Sequence, residues 1–319
     1  MVDISQNPGV SFVIPVFNKR PFLPQVIAGL KAQRGDFARE FIFIDDGSTD
    51  GSGAELARLI PDLGDARIIA QANAGPSVAS NRGLAEARYP LVKLVDGDDV
   101  LLPDATERLR AALDHHPGTV LAYGLSGTYA SAEEALARIA ANDPPGADGA
   151  RIEDALPGLL KECYLGPSNC LIRVNDARAV GGSDERVFVQ DYSLLLRLAA
   201  RGGFVATSIP VVLHPQSTDL RLNDGGPQLL HDTNLTVVYF LAEHDLPPTM
   251  VTRTVRRGVT RAWLWAKRRE GASLFSYWYL LRIAAYLPFP RLLPGLLRRS
   301  CAAFTLSRSV RLSRPVAPA

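Results

Sequence analysis

Short apolar runs alternate with helically spaced apolar positions through the first hundred residues. Each run is rich in Val, Ile, Leu or Phe, which is typical of a strand buried on both faces. The predicted strands are residues 11–17, 40–44, 67–70 and 91–95. Helical spacing follows each of the first three, so we expect an α/β fold with a mostly parallel sheet and right-handed crossovers. Pro15 cannot donate a backbone hydrogen bond, so we predict that the first strand ends there.

The rest of the chain continues the alternation less regularly. Helices are predicted at 103–116, 131–143, from Gln190 onward, 227–243 and 249–269. Further strands are predicted at 120–123 and 168–174, with a short pair at 204–207 and 211–213. Pro, Gly, Asp and Ala in 142–149 favour a surface loop, and 214–226 is a polar segment.

Polar side chains follow these predicted strands directly. Asp45 ends the second strand, Asn73 follows the third and Asp96 follows the fourth. Ligands bind beyond the carboxyl ends of the strands in open α/β sheets, so we expect the three side chains to share one rim. Residues 96–99 place three carboxylates around one glycine, and such oxygen ligands suit Mg²⁺ or Mn²⁺. The hypothesis is a metal site for a diphosphate; a solvated acidic turn is the alternative for so short a motif.

Charge is divided unevenly along the 319 residues, although the net charge is only +2. Residues 250–319 contain 14 Lys and Arg and one acid, whereas 1–249 contain 21 basic and 32 acidic residues. The basic tail interleaves arginines with aromatic residues, which suits peripheral contact with an anionic membrane. Packing on the acidic body or on a second subunit fits almost as well, which leaves a homo-oligomer open. No recognised motif accompanies the charge, so no nucleic acid partner is expected.

The cysteines and the chain start favour a cytoplasmic protein. Cys163, Cys170 and Cys301 are odd in number and lack metal-ligand spacing, which disfavours a disulfide framework or a zinc site. The N-terminus lacks a signal layout, and no apolar stretch has the length of a spanning helix. We expect a cytoplasmic location, with peripheral contact at the inner face of the cell membrane.

Five motifs in a fixed order resemble those of the family 2 glycosyltransferases, which have the GT-A fold. The motifs lie within residues 11–223, at 13–18, 44–50, 73–77, 96–99 and 190–192. The resemblance implies a GT-A domain over 1–225 and a helical C-terminal extension over 226–319. It also implies an inverting, metal-dependent transfer of a sugar from a nucleotide-diphosphate donor, with a UDP-sugar favoured, to a carbohydrate or lipid-linked acceptor. Mn²⁺ or Mg²⁺ would be the cofactor.

The resemblance also implies roles for single residues. Those implied to bind the nucleotide sugar are Pro15, Phe17, Asn18, Asp45, Asp46, Asn73, Gly75, Asp96 and Gly97. Asp98 is the implied metal ligand and Asp191 the implied general base. Without the other motifs, Asp191 would be interpreted as an acid that complements the dipole of a helix N-terminus. Ser80 stands where the family commonly has Arg, and whether Arg82 replaces that arginine is open.

Other protein classes fit less well. No Gly-x-Gly-x-x-Gly follows the first strand, which excludes the usual dinucleotide fingerprint. Ala57 stands where a calcium loop that begins at Asp46 needs Glu. A haloacid-dehalogenase-like phosphatase also places an Asp-x-Asp pair at a strand end, and would release phosphate from phosphomonoesters. A catalytically silent nucleotide-sugar-binding or scaffold member of the same fold is the remaining alternative, which intact Asp98 and Asp191 disfavour.

Overall fold

The computed structural model describes residues 9–141, 151–216, 226–305 and 310–311. The strands in this part of the chain are β1 (Val10–Val16), β2 (Arg39–Asp45), β3 (Ala66–Ala70), β4 (Leu91–Leu94), β5 (Val100–Leu101), β6 (Leu121–Tyr129), β7 (Arg151–Glu153), β8 (Cys170–Arg173) and β9 (Phe204–Pro215). The helices are α1 (Leu23–Lys31), α2 (Ser52–Leu59), α3 (Pro76–Glu86), α4 (Ala105–His115), α5 (Ala132–Ala141), α6 (Leu156–Lys161), α7 (Val174–Ala179), α8 (Gln190–Arg201), α9 (Pro227–Glu243), α10 (Pro248–Glu270), α11 (Tyr277–Ala284), α12 (Leu293–Ser300) and α13 (Ala302–Thr305).

The described residues group into two compact units. The first unit draws on 9–141, 151–155, 165–183 and 197–216, and the second on 156–164, 184–196, 226–305 and 310–311. All of the loop predicted at 142–149 and most of the polar segment predicted at 214–226 lie outside the described residues. The domain boundary expected near residue 225 stays a prediction.

One sheet organises the first unit. Its strand order is β3-β2-β1-β4-β8-β6-β9-β5, with β7 paired to β9. The neighbours from β3 to β4 are parallel, as are β6 and β9, whereas β8 is antiparallel to both β4 and β6. The core is largely apolar, and the rings of Phe12 and Phe41 stack at 5.0 Å between centroids. The predicted GT-A-type α/β architecture is confirmed.

The prediction that β1 ends at Pro15 is wrong, because the strand continues to Val16. Pro15 pairs with Ile44 of β2, and the ladder between β1 and β4 has already ended at Val13 and Leu94. On the side of β1 that faces β4, the Val13 carbonyl accepts a hydrogen bond from the Val95 N–H. Backbone groups of residues two apart in a strand point to the same side, so the nitrogen of Pro15 also faces β4. The missing N–H of Pro15 therefore faces the side where the ladder has ended, and it costs no ladder hydrogen bond.

The strand pair predicted at 204–207 and 211–213 is in fact one strand, β9. The register between β6 and β9 shifts around Leu125, which pairs with Pro210. This irregular pairing includes residues 208–210, which were expected to separate two strands, within β9. Gly124 permits this close approach, because a Cβ there would lie 2.5 Å from the carbonyl oxygen of Ile209. The short strands β5 and β7 have no counterpart among the predicted elements.

Helices build the second unit. The helices predicted at 227–243 and 249–269 are confirmed as α9 and α10. The long helix α10 packs against α9, α11, α12 and α13, and a small core forms where Ala262 meets Ala303 and Phe304. The helices in the described ranges include none with the length and apolar character needed to cross a membrane.

Candidate active site

Four loops meet at one rim of the first unit, beyond the carboxyl ends of β1 to β4. We name them loop 1 (residues 17–20), loop 2 (46–51), loop 3 (71–75) and loop 4 (95–99). Because β1 to β4 are parallel, these loops emerge on the same edge of the sheet. The structure places the ten expected binding and metal residues of this unit in these loops or at the strand ends that lead into them.

Asp46 joins loop 2 to loop 3. Its buried carboxylate accepts hydrogen bonds from the side chain of Gln71 at 2.8 Å and from the backbone N–H groups of Ala74 and Gly75, each at 2.9 Å. The carbonyl of Asp46 accepts a further bond from the Asn73 amide at 2.9 Å. A carboxylate is favoured here because it can accept several bonds at once, and charge-assisted bonds are the stronger kind.

Asn18 joins loop 1 to loop 2. Its backbone N–H donates to Ser48 Oγ at 3.1 Å, and its side-chain oxygen accepts from the Thr49 N–H at 2.8 Å. Asn18 has a positive φ of 53°, and among the described residues other than glycine it is the only one with a positive φ. Asn tolerates that conformation better than most residues. Asp45 Oδ1 accepts the Ser48 N–H at 2.9 Å, and Phe17 leaves its ring 36% exposed.

Loop 4 lies against loop 1. Lys19 donates from Nζ to Asp98 Oδ2 at 2.5 Å, and both side chains are mostly buried. Gly97 sits over β1, where an added Cβ would lie 3.0 Å from the carbonyl oxygen of Pro15. The hydroxyl of Tyr129 donates to the carbonyl of Asp98 at 2.7 Å. The Asp98 carboxylate is thus held at the rim with the Lys19 ammonium beside it. No sequence pattern pointed to Lys19.

The acids of loop 4 have the donor chemistry that a hard cation needs. The backbone N–H of Asp96 is held by Ser168 Oγ at 3.0 Å. Asp99 Oδ1 lies 2.8 Å from His214 Nδ1, while its buried Oδ2 has no hydrogen-bond partner among the described residues. No group of three His, Cys, Asp or Glu side chains in the described ranges already forms a metal cluster. Oxygen donors of this kind nevertheless fit Mg²⁺ or Mn²⁺, with Asp98 and its neighbours as the ligands available.

Lys93 lies fully buried in β4, directly below loop 4. Its ammonium donates to the carbonyl oxygens of Ser168 at 2.8 Å and Cys170 at 3.1 Å. Burial lowers the pKa of Lys93 to about 8, although attraction to Cys170 and Asp99 raises it. A single lysine inside the apolar run 91–95 was the available sequence signal, and the sequence prediction assigned it no role.

Asp191 belongs to the second unit, where it lies in the first turn of α8. Its Oδ1 accepts the Tyr192 N–H at 2.8 Å. Burial raises the pKa of Asp191, while backbone hydrogen bonds from Tyr192 and from Asp191 itself lower it. The Tyr192 hydroxyl donates to the carbonyl of Leu159 at 2.9 Å, which anchors this turn. Asp191 is therefore a carboxylate with a raised proton affinity at a fixed helix start.

Arg82 has an ion-pair partner on its own helix, α3. The Arg82 guanidinium pairs with Glu86 at 3.0 Å, one turn further along the same helix, and Ser80 is buried. His214 Nδ1 lies 2.8 Å from Asp99 Oδ1, so His214 belongs to the surroundings of loop 4.

Solved structures of glycosyltransferases share this fold. S. aureus TarS 1–349 in complex with UDP-GlcNAc has a TM-score of 0.62 at 13% identity, covering 94% of this chain and 91% of that chain. The mannosyltransferase PcManGT from Pyrobaculum calidifontis, in complex with GDP-Man and Mn²⁺, has a TM-score of 0.56 at 17% identity, covering 95% and 88%. The fold is the GT-A fold of nucleotide-sugar transferases.

Residues 11–141 match the family model described as glycosyl transferase family 2, so this part of the chain is similar to the domain of that family. The family resemblance inferred from the motifs is confirmed. The succinoglycan biosynthesis protein ExoO of Rhizobium meliloti is 33% identical over 106 residues, which are 33% of this chain and 30% of that protein. The chain matches less than a third of the length of such curated relatives.

Lys93→Met should change how stability depends on pH. The unfolded chain, with a lysine pKa of 10.5, binds more protons than the folded chain, with a pKa of about 8, at pH values between the two. The stability of the natural protein relative to Lys93→Met should therefore rise by about 2 kcal/mol from pH 7 to pH 9.5. Denaturant unfolding at several pH values measures this difference. Lys31→Met, on the surface, is the control, and a pH-independent difference for Lys93→Met would contradict the assignment.

Proposed function

We propose that the protein is an inverting, metal-dependent glycosyltransferase that moves a sugar from a UDP-sugar to an acceptor hydroxyl. The observation that carries the proposal is the interlocked rim of four loops within the region that matches the family 2 model, with Asp98 held there by Lys19. Fold alone gives the reaction class at most, so the roles depend on the side chains at this rim. A catalytically silent nucleotide-sugar-binding or scaffold protein is the alternative that the experiments below separate.

Loops 1 to 3 supply the proposed nucleotide site. The half-exposed ring of Phe17 and the exposed side chain of Asn73 offer an apolar and a polar wall, and Asp45 offers a carboxylate acceptor for a base or ribose. Asp46 is fully engaged in holding loop 3, so its proposed part is support. UDP is favoured over GDP because a similar structure binds UDP-GlcNAc, although another binds GDP-Man.

Asp98 is the proposed ligand of Mn²⁺ or Mg²⁺, with Asp96 beside it. When bound, the cation would neutralise negative charge on the nucleoside diphosphate leaving group. Lys19 places its ammonium against the same carboxylate, so this residue contributes positive charge to the diphosphate side of the rim. Gly97 keeps loop 4 close to β1, because any larger residue would press on the Pro15 carbonyl.

Asp191 is the proposed general base, which removes the proton of the attacking hydroxyl. Inversion results from a single attack on the face of the sugar opposite to the leaving diphosphate. One general base is enough for a single attack, and the raised pKa of Asp191 suits that role. The acceptor is proposed to be a carbohydrate or lipid-linked sugar of a surface polysaccharide or glycolipid. The similarity to a succinoglycan biosynthesis protein supports that class.

We further propose that residues 250–319 contact the inner face of the membrane. Large apolar side chains are exposed along one stretch of the second unit: Leu274, Phe275, Tyr277, Leu280, Ile283, Tyr286, Leu287, Phe289 and Leu292. Phe275 is 91% exposed. Arg291, Lys267 and Arg269 flank the stretch and are exposed. Apolar groups with basic neighbours fit the interface of an anionic bilayer, while a second subunit would cover the same groups.

Asp98→Ala should weaken metal-dependent donor binding. We expect UDP to bind the purified protein at least about tenfold more tightly with Mn²⁺ than without, and this gain should vanish in Asp98→Ala, because a lost ligand lowers metal affinity. Calorimetry with UDP measures both values. Asp62→Ala, which breaks a Lys–Asp pair on the surface of the same unit, is the control. Metal-dependent binding that survives in Asp98→Ala would contradict the assignment, and GDP, CDP and dTDP test the choice of base.

Asp191→Asn should lower turnover by about 10²–10⁴-fold and leave UDP affinity unchanged, because general base catalysis contributes about this much. UDP release from UDP-GlcNAc, with and without candidate sugar acceptors, measures turnover. The natural protein should lose activity as pH falls through a value above the usual aspartate range, since burial raises the pKa of Asp191. Glu185→Gln removes a nearby exposed carboxylate as the control. Turnover of Asp191→Asn equal to that of the natural protein would contradict the assignment of Asp191 as the general base.

Replacing Phe275, Leu280 and Phe289 by Ser should reduce binding to phosphatidylglycerol vesicles by at least about tenfold. Each large apolar side chain contributes about 1.5–3 kcal/mol when it is fully buried. Cosedimentation measures the bound fraction. Leu125, Leu136 and Ile152 are exposed apolar residues of the first unit, and their replacement by Ser is the control. If the Phe275, Leu280 and Phe289 variant loses self-association while its vesicle binding stays the same, the exposed apolar stretch 274–292 is a subunit interface instead.

A further inference from the structure

A cavity of about 660 Å³ opens along one face of α10, within the second unit. That volume lies in the usual range for ligand sites. The charged and aromatic residues that line it include Arg253, Arg256, Arg257, Arg261, Arg268 and Trp265. Apart from the adjacent pair Arg256 and Arg257, they recur at intervals of three and four residues, so they form one stripe on the helix. Val255, Val259 and Ala262 on the opposite side are buried.

The five arginines of this stripe are not neutralised by carboxylates. Among the described residues, no Asp or Glu oxygen lies within 4.0 Å of any of their guanidinium groups. Two of them are held by neutral acceptors: Arg256 Nε donates to the Ala285 carbonyl at 3.0 Å, and Arg261 Nη1 donates to Asn234 Oδ1 at 3.0 Å. Arg256 also lies 4.5 Å from the centroid of the Tyr286 ring.

Positive charge is concentrated here at an energetic cost. Burial lowers the pKa of Arg261; Tyr192 and Glu162 raise it, and repulsion from Arg257 lowers it further. Arginine stays charged under these conditions, so the repulsion persists unless an anion relieves it. A planar guanidinium matches phosphate oxygens with two parallel hydrogen bonds, and side chains already fixed by neighbours lose little freedom on binding.

We propose that this arginine-lined cavity binds a phosphate-bearing group with two or more negative charges, such as a diphosphate. The held guanidinium groups of Arg256 and Arg261 would form the floor of the site, and the exposed Arg253, Arg257 and Arg268 its mouth. The phosphate can belong to a soluble molecule or to a lipid headgroup, since the chemistry of recognition is the same. The inference does not depend on the proposed sugar transfer, because it concerns other residues and is tested by binding alone.

The test is a triple variant, Arg253→Gln, Arg257→Gln and Arg268→Gln, which changes only exposed residues. Calorimetry with inorganic pyrophosphate in EDTA, and cosedimentation with phosphatidylglycerol or phosphatidylcholine vesicles, are the readouts. We expect affinity for pyrophosphate, for phosphatidylglycerol vesicles, or for both to fall at least about tenfold. The control is Lys31→Gln, Arg58→Gln and Lys161→Gln, which removes the same charge from exposed positions outside the cavity and outside residues 250–319, and should lose less than about threefold.

The outcomes separate the sources of the phosphate. Loss of pyrophosphate affinity in the cavity variant alone indicates a soluble phosphate group, and loss confined to phosphatidylglycerol vesicles indicates a headgroup. Equal losses in the two triple variants would mean general charge attraction and would overturn the proposal. Absence of binding to either probe by the natural protein would also overturn it. Any binding of pyrophosphate at the donor site is the same in the natural protein and in both triple variants, so it does not contribute to the differences between them. Equal melting temperatures show that the variants remain folded.

Discussion

The rim depends first on the buried carboxylate of Asp46. An unpaired buried charge would be strongly destabilising, so the loops must place hydrogen-bond donors around it. Gln71, Ala74 and Gly75 do so, and their bonds fix loop 3 against loop 2. Gly75 is required in this arrangement because its φ of 94° favours glycine. The half-buried Asp45 and the exposed Asn73 then occupy set positions at the edge of the sheet, each through one hydrogen bond to loop 2.

A second constraint comes from how the loops share donors and acceptors. Asn18 holds loop 2 through Ser48 and Thr49, and Lys19 holds loop 4 through Asp98. Each contact joins segments at least 30 residues apart in the chain, so the rim forms only when the parallel strands are aligned. Pre-organisation of this kind reduces the ordering that a ligand must impose when it binds.

The sequence was informative where local pattern decides the structure. Strands that end in Asp45 or lead to Asp96 could be placed because apolar runs stop abruptly at polar residues, and parallel topology then put them on one rim. Partnerships between distant segments could not be read in this way. Lys19 with Asp98, and Asp99 with His214, have no local signal, because the residues meet only through sheet topology. The continuous strand β9 was missed for a related reason: Pro210 resembles a break, and the irregular pairing with β6 accommodates it.

The basic tail acquires a physical meaning from the pairing of its charges. In the second unit, Arg186 takes the carboxylates of Asp184 and Glu243, and Asp232 is engaged by two backbone N–H groups and by His231. Among the described residues, no carboxylate oxygen lies within 4.0 Å of the five α10 arginines, although Glu162 attracts Arg261 from further away. Arginines without a carboxylate partner on one face of a long helix repel one another, and a bound anion would relieve that repulsion. The proposed anion site therefore accounts for part of the positive charge of the tail.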